Sequence, residues 1–355
     1  MSDLLIPRLP IQCTYLRTTW LLNAQATLTL PNSSKVRFFD GREATSFAEN
    51  MRRSNVVARM GGTGNHYYRQ ARELSNRTVI EVFRVANPEE MYEQGEAVAK
   101  LIEKLAILST TLFLQRSALL RKLGLSENIT PEVNFTVTPR FKFIRSRSQR
   151  IPSVTGVVID SQFCKRFLNC GFMSLFEYSQ EQGDLAKRVR ASSDWLFESR
   201  REARLTASVV KTAIALESLL IFSESESLAR ALSERAAFIL SSSPEVRHGI
   251  SRVILQFYDV RSGVVHGSQK KARKLTPRLI ECVDRLVLLL HLIISANSQL
   301  WPNVEALRVW CEKQRWGKPS SEVVLPFSRL YLNNALSLMA TGANNPPIVP
   351  VSGQV

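Results

Sequence analysis

Apolar and polar positions along this chain follow two different periods. In the first 150 or so residues the apolar residues alternate in short runs. "TVIEVFRV" (78–85) and "NFTVTPRFKFIR" (134–145) read as strands, and "ATLTL" and "KVRFF" are β-prone. Between the two alternating runs, from Pro88 to about Leu123, the spacing becomes helical through Met91, Val98, Leu101, Leu105, Leu108 and Leu112. From about residue 185 onward the helical period takes over. A first helix is predicted across "SDWLFESRREARLTASVVKTAIALESLLIF" (193–222), ended by the acidic, serine-rich "SESES". A second follows over 228–240, with Leu228, Leu232, Ala236 and Leu240 on one face. Ser243 followed by Pro244, and Thr276 followed by Pro277, are start signals for two more helices, because a hydroxyl cap precedes a proline whose missing N–H costs nothing in the first turn. Shorter helical pieces are expected near 304–316 and 326–340.

These elements predict a mainly α protein: a four-helix bundle preceded by a mixed α+β N-terminal domain. The division expected is 1–155 for the N-terminal domain, 156–300 for the bundle, 301–340 for a helical extension and 341–355 for a Pro/Asn/Gly-rich, disordered tail. "RMGGTGNHYY" (59–68) reads as a plain Gly-rich loop, since it lacks the Lys-Ser/Thr ending of a phosphate-binding loop.

Composition narrows the partners. Forty-seven Lys+Arg against 31 Asp+Glu give a net charge of +16, which attracts polyanions or else serves only solubility. The five cysteines (Cys13, Cys164, Cys170, Cys282, Cys311) contain no C-x-x-C pair and the four histidines are scattered, so no metal site, no cofactor and no disulfide framework is expected. Reduced thiols suit the cytoplasm. The N-terminus "MSDLLIPRLPIQ" does not read as a signal peptide. The longest apolar run, "LVLLLHLIISA" (286–296), is too short to span a bilayer and reads as a buried helix, so no membrane association is expected.

The candidate chemistry lies in "FYDVRSGVVHGSQKK" (257–271). An arginine followed by a histidine with four to six residues between them occurs three times: Arg59 to His66, Arg261 to His266, and Arg285 to His291. Spacing alone therefore decides nothing. Arg285 and His291 fall inside the apolar fourth helix, where a lone histidine reads as a satisfied core residue, and Arg59 and His66 flank the Gly-rich loop. Only Arg261 and His266 sit between two predicted helices.

The segments "ALESLL" (215–220), "SERAAFIL" (233–240) and "YDVRSGVVHG" (258–267), in that order on successive helices, resemble the HEPN superfamily and its Apea-like branch, over roughly residues 190–300. The resemblance implies a four-helix bundle that dimerises, and a metal-independent endoribonuclease using an R-x4-6-H signature. It also implies a small polar residue after the arginine, which Ser262 supplies, and a role in antiviral defence or as a regulated toxin held by a partner or antitoxin.

The chemistry agrees with those residue types. Cleaving RNA without metal requires removing a 2′-hydroxyl proton, stabilising the phosphorane and protonating the leaving 5′-oxygen. Histidine shuttles protons near neutrality and arginine grips phosphate with two donors, so His266 is the expected acid or base and Arg261 the anchor. Residues five apart on a helix differ by about 140° in direction, and Gly263 is expected to break the helix in a left-handed turn that swings His266 back beside Arg261. One histidine per chain supplies only one proton relay, so a twofold homodimer lining one cleft with two Arg261 and two His266 is expected. Ser262 is expected to orient His266 or the phosphate. Glu217 and Glu234 are expected to orient Arg261, or else to face solvent.

The run "SQKKARKLTPR" (268–278), with Lys270, Lys271, Arg273 and Lys274, is either a solvated loop or a site for the RNA backbone. "PRFKFIRSRSQR" (139–150), basic residues interleaved with Phe141 and Phe143, is either a platform for a single strand or the basic outer face of a half-buried strand. The competing reading of the whole is a catalytically inactive HEPN module that binds RNA or protein.

Overall fold

The computed structural model describes residues 11–19, 22–24, 28–29, 35–39, 78–86, 88–113, 129–137 and 144–152, then 157–202, 204–222, 227–317 and 323–340, with isolated positions between 46 and 53. The Gly-rich loop, Arg59, His66 and the tail after Ala340 lie outside the described residues, as do the structures of 114–128 and 138–143. The described chain is mainly helical and divides into two compact units, residues 1–113 with 123–168, and 114–122 with 169–355.

In the first unit, strands β1 (Ile11–Thr19), β3 (Leu28–Thr29), β4 (Lys35–Phe39), β5 (Thr78–Ala86), β6 (Ile129–Val137) and β7 (Ile144–Pro152) form an antiparallel sheet in the order β3-β4-β5-β1-β6-β7. Strands β2 (Leu22–Ala24) and β8 (Val157–Ile159) pair in parallel. Helix α1 (Pro88–Phe113) packs on β1 and β5, where Leu16, Val79, Ile80 and Val82 are buried. The alternating run 134–145 is not one strand. It divides between β6 and β7, which pair antiparallel with Thr136 opposite Arg145 and Asn134 opposite Arg147. Helix α2 (Ser161–Asn169) completes this unit's described elements.

The second unit holds α3 (Phe172–Tyr178), α4 (Asp184–Arg201), α5 (Leu205–Leu220), α6 (Leu228–Leu240), α7 (Pro244–Val265), the single turn α8 (Gln269–Ala272), α9 (Pro277–Ala296), α10 (Val304–Trp316) and α11 (Arg329–Ala340). The predicted long helix over 193–222 is in fact two. Glu202 and Arg204 take extended backbone between α4 and α5, and the chain doubles back. The antiparallel hairpin is read from its bonds: Ser199 Oγ reaches Ser208 O, while Ser192 Oγ, two turns earlier, reaches Ala215 O, two turns later. The start signals act as the sequence predicts. The Ser243 hydroxyl accepts from Val246 N, and the Thr276 hydroxyl accepts from Leu279 N at 3.1 Å. Helix α9 is the bundle's centre, with every residue from Cys282 to Ser295 buried. Helix α10 packs on α6, and α11 packs on α9 and α7.

Besides Cys282, that central helix carries Asp284, Arg285 and His291 in its buried stretch, and the first and last of these three lock it to the α4/α5 hairpin. Asp284, with no exposed surface, pairs with the Arg200 guanidinium at 3.3 Å and accepts the Thr212 hydroxyl at 2.7 Å. Ser199 joins Thr212 at 2.7 Å and Ser208 at 2.8 Å. Two turns further on, His291 Nε2 meets Ser192 Oγ at 2.7 Å and Nδ1 meets Ser193 Oγ at 3.4 Å. The Ser192 hydroxyl proton is engaged by Ala215 O, which assigns the donating N–H of His291 to Nε2. His291 is thus the core histidine that the apolar helix predicts. Arg285, its partner in the spacing match, pairs with Glu281 at 2.6 Å.

Removing one member of a buried ion pair leaves the other charge without that compensation, at about 3–5 kcal/mol. Asp284→Ala is therefore expected to lower unfolding stability by about that amount in urea titration; a change under about 1 kcal/mol would show that the pair does not set the core. Burial also pushes the Cys282 and Cys311 thiols from the ordinary 9.0 up to about 12. Unfolded thiols ionise first as pH rises, so stability held below pH 9 is expected to fall from there towards 12. At pH 8 a thiol reagent is expected to modify Cys282 and Cys311 only on unfolding, with half-buried Cys164 reacting sooner. Equal rates for the three would overturn this.

Candidate active site

Helices α5, α6 and α7 meet around Arg261. Tyr258, one turn before it on α7, is 5% exposed, and its hydroxyl lies 3.1 Å from Glu217 Oε1 and 3.4 Å from Ala213 O on α5. Burial, then the neighbouring Glu217 carboxylate, drives the Tyr258 hydroxyl far above its ordinary range, so it stays a donor. The same Oε1 of Glu217 stands 3.6 Å from an Arg261 terminal nitrogen. Glu217 therefore ties Arg261 to α5 through one carboxylate held by a buried tyrosine. A quarter of the Arg261 side chain is exposed, while its Nε is buried with no partner among the described residues.

An open cavity of about 360 Å³ lies against the guanidinium. Leu228 and Ala229 from α6 and Leu255 from α7 give it an apolar wall, and Asp259, Arg261, Ser262 and Lys271 give it a polar one. The structure brings together Arg261, Ser262, Glu217 and Lys271. It does not bring Glu234 to Arg261. That carboxylate turns to the other side of α6, where it binds Arg230 at 3.0 Å and Arg315 of α10 at 2.5 Å. Glu217 faces α7, whereas Glu234, contrary to expectation, sits on the stripe of α6 that packs on α10, a helix whose contacts the sequence does not display.

Gly263 also differs from expectation. Helix α7 continues through it to Val265, and the left-handed residue is Gly267 (φ 73°), just after His266, which is the C-cap with its N–H bonded to Ser262 O. The use of Gly263 is space. A Cβ there would lie 2.4 Å from Lys271 Cβ and 2.8 Å from Ala272 N, so glycine is what lets α8 press onto α7. Because no break intervenes, Arg261 and His266 leave α7 in directions about 140° apart. Arg261 faces the cavity. His266 is exposed, is absent from the cavity lining, and shares a helix face with Ser262, one turn back, and with the exposed Leu255.

The basic run is not a free loop. Lys271 and Lys274 both reach Asp259 on α7, at 2.8 and 3.5 Å, and the Lys271 hydrogen bond foremost holds the Asp259 carboxyl below its usual range. Lys270 and Arg273 are exposed and form no ion pair among the described residues. The sequence reading missed Asp259 and Tyr258. A carboxylate one helical turn before Ser262, and a tyrosine one turn before Arg261, were the available signals. Among the described residues no cluster of three His, Cys, Asp or Glu could hold a metal ion, and no helix is long and apolar enough to cross a membrane.

Compared with protein-family models, with curated proteins and with solved structures, the chain matches none.

An alanine at 263 gains helix propensity but must displace α8. The net expectation for Gly263→Ala is a loss of about 1–2 kcal/mol, with faster tryptic cleavage after Lys270 and Lys271. A stabilised variant with unchanged cleavage would show that α8 does not pack on α7.

Proposed function

We propose that the protein is a metal-independent endoribonuclease of the HEPN type, acting as a homodimer, with the helical unit as catalytic bundle and an α+β N-terminal domain in a sensing or restraining role. The observation that carries the reading is Arg261: a guanidinium tied down by Glu217 and Tyr258, yet exposed along one side to a cavity that also holds Ser262 and Lys271. Such an arrangement suits a phosphate that gains negative charge during reaction, since the donor is oriented beforehand.

In this reading His266 removes the 2′-hydroxyl proton and the 2′-oxygen attacks phosphorus. The bond to the 5′-oxygen breaks, giving a 2′,3′-cyclic phosphate and a 5′-hydroxyl. His266 of the partner subunit protonates the leaving oxygen, and Arg261 holds the phosphorane. Helix geometry favours the two-subunit form, because Arg261 and His266 of one chain face different ways and complement each other only across a second copy. The setting is cytoplasmic RNA cleavage in antiviral defence, or as a toxin restrained by a partner. The same divergence favours a second reading, an inactive RNA- or protein-binding module.

Incubation with total RNA in EDTA separates the two. Cleavage is expected to survive chelation and to fall by about 10²–10⁴ in His266→Ala and in Arg261→Ala, with melting temperature and dimer mass unchanged. Salt-sensitive RNA retention with no cleavage by the unaltered protein would overturn the nuclease reading.

A further inference from the structure

The cations around the cavity are already occupied. Arg261 faces Glu217, and the two ammonium groups of the α8 segment converge on one carboxylate, the two oxygens of Asp259 taking Lys271 and Lys274 separately. Two cations on two oxygens of one anionic group is how a phosphodiester would be held. Asp259 and Lys271 also line the same cavity as Arg261 and Ser262. A phosphate entering this cavity meets a carboxylate that repels it and that already engages the lysines.

We propose that Asp259 is an internal competitor of the RNA backbone, folding the basic segment onto α7 until the phosphates of a strand take Lys271 and Lys274 from it. The inference rests on the RNA reading for the nature of the strand. The exchange is inexpensive: Asp259 is 37% exposed and the lysines 45% and 56%, and ion pairs so open to water contribute little. It is also selective. A single phosphodiester carries no more charge than the carboxylate it displaces, whereas a strand offers several phosphates in series and finds Lys270 and Arg273 as a first hold. Asp259 thus discriminates against short anions and in favour of polymers.

The test is equilibrium binding, by fluorescence anisotropy, of a 2′-O-methyl oligoribonucleotide of about a dozen residues, which lacks the attacking hydroxyl and cannot be cut. Asp259→Asn is expected to bind about two- to fivefold more tightly at low salt, the weight of an exposed ion pair, with a steeper dependence on salt because two more cations are available. Lys271→Met with Lys274→Met is expected to abolish that gain in the Asp259→Asn background. Unchanged or weaker binding by Asp259→Asn, and by Asp259→Ser with an unaltered melting temperature, overturns the proposal. Tighter binding by Asp259→Asn in a protein that leaves total RNA uncut would keep this inference and remove the nuclease reading. Cleaved RNA with no change in binding would do the reverse.

Discussion

The helical unit is organised around a carboxylate that has no contact with water. Asp284 sits in the buried stretch of the bundle's central helix α9, and its two oxygens are claimed by Arg200 on α4 and Thr212 on α5. An ion in such a place is stable only if its partners arrive in one register, so the pair acts less as a source of stability than as a key that rejects other alignments of the hairpin on α9. The serine and histidine contacts two turns further on repeat the same register. Fixing α5 in this way fixes Glu217, five residues beyond Thr212 and on the side that meets α7. Glu217 in turn sets Tyr258 and Arg261.

Electrostatics around Arg261 balance restraint against availability. A guanidinium free in solution binds phosphate but adopts many directions; one fully buried in an ion pair has direction and nothing left to offer. Here the Glu217 contact is long, at 3.6 Å, a quarter of the Arg261 side chain stays exposed beside the cavity, and Lys271 and Lys274 pair with Asp259 near the surface instead of with the core. Arg261, Lys271 and Lys274 against Glu217 and Asp259 leave one net positive charge, to which the exposed Lys270 and Arg273 add, so the site is basic at rest within a chain that carries +16.

The helices were legible in the sequence because their causes are local. The period of apolar residues marked α6, and the Ser243-Pro244 and Thr276-Pro277 signals marked the starts of α7 and α9. The break at Glu202 was hidden, since "SRREAR" is as helix-compatible as its flanks and only the packing of serine on serine across the hairpin demands a turn there. Position between two predicted helices, not spacing, singled out Arg261 and His266, the resemblance of the surrounding segments added Ser262, and Glu217 followed from a lone acid on an apolar helix. The same reasoning misplaced Glu234, whose partner Arg315 lies 81 residues away. Gly263 misled for a related reason: a glycine near a helix end reads as a turn, while the steric demand of Lys271 is invisible until the chain folds.

The uninterrupted backbone from Arg261 to the helix end has a mechanical consequence. Five residues of α-helix set an axial offset of about 7.5 Å between the two groups, and with no hinge inside that span the offset is constant. The helix behaves as a ruler. Whatever changes the relation of those two side chains to a common target beyond the reach of their rotamers must move the helix as a rigid body, so the span is governed by the packing of whole helices and not by the motion of a loop.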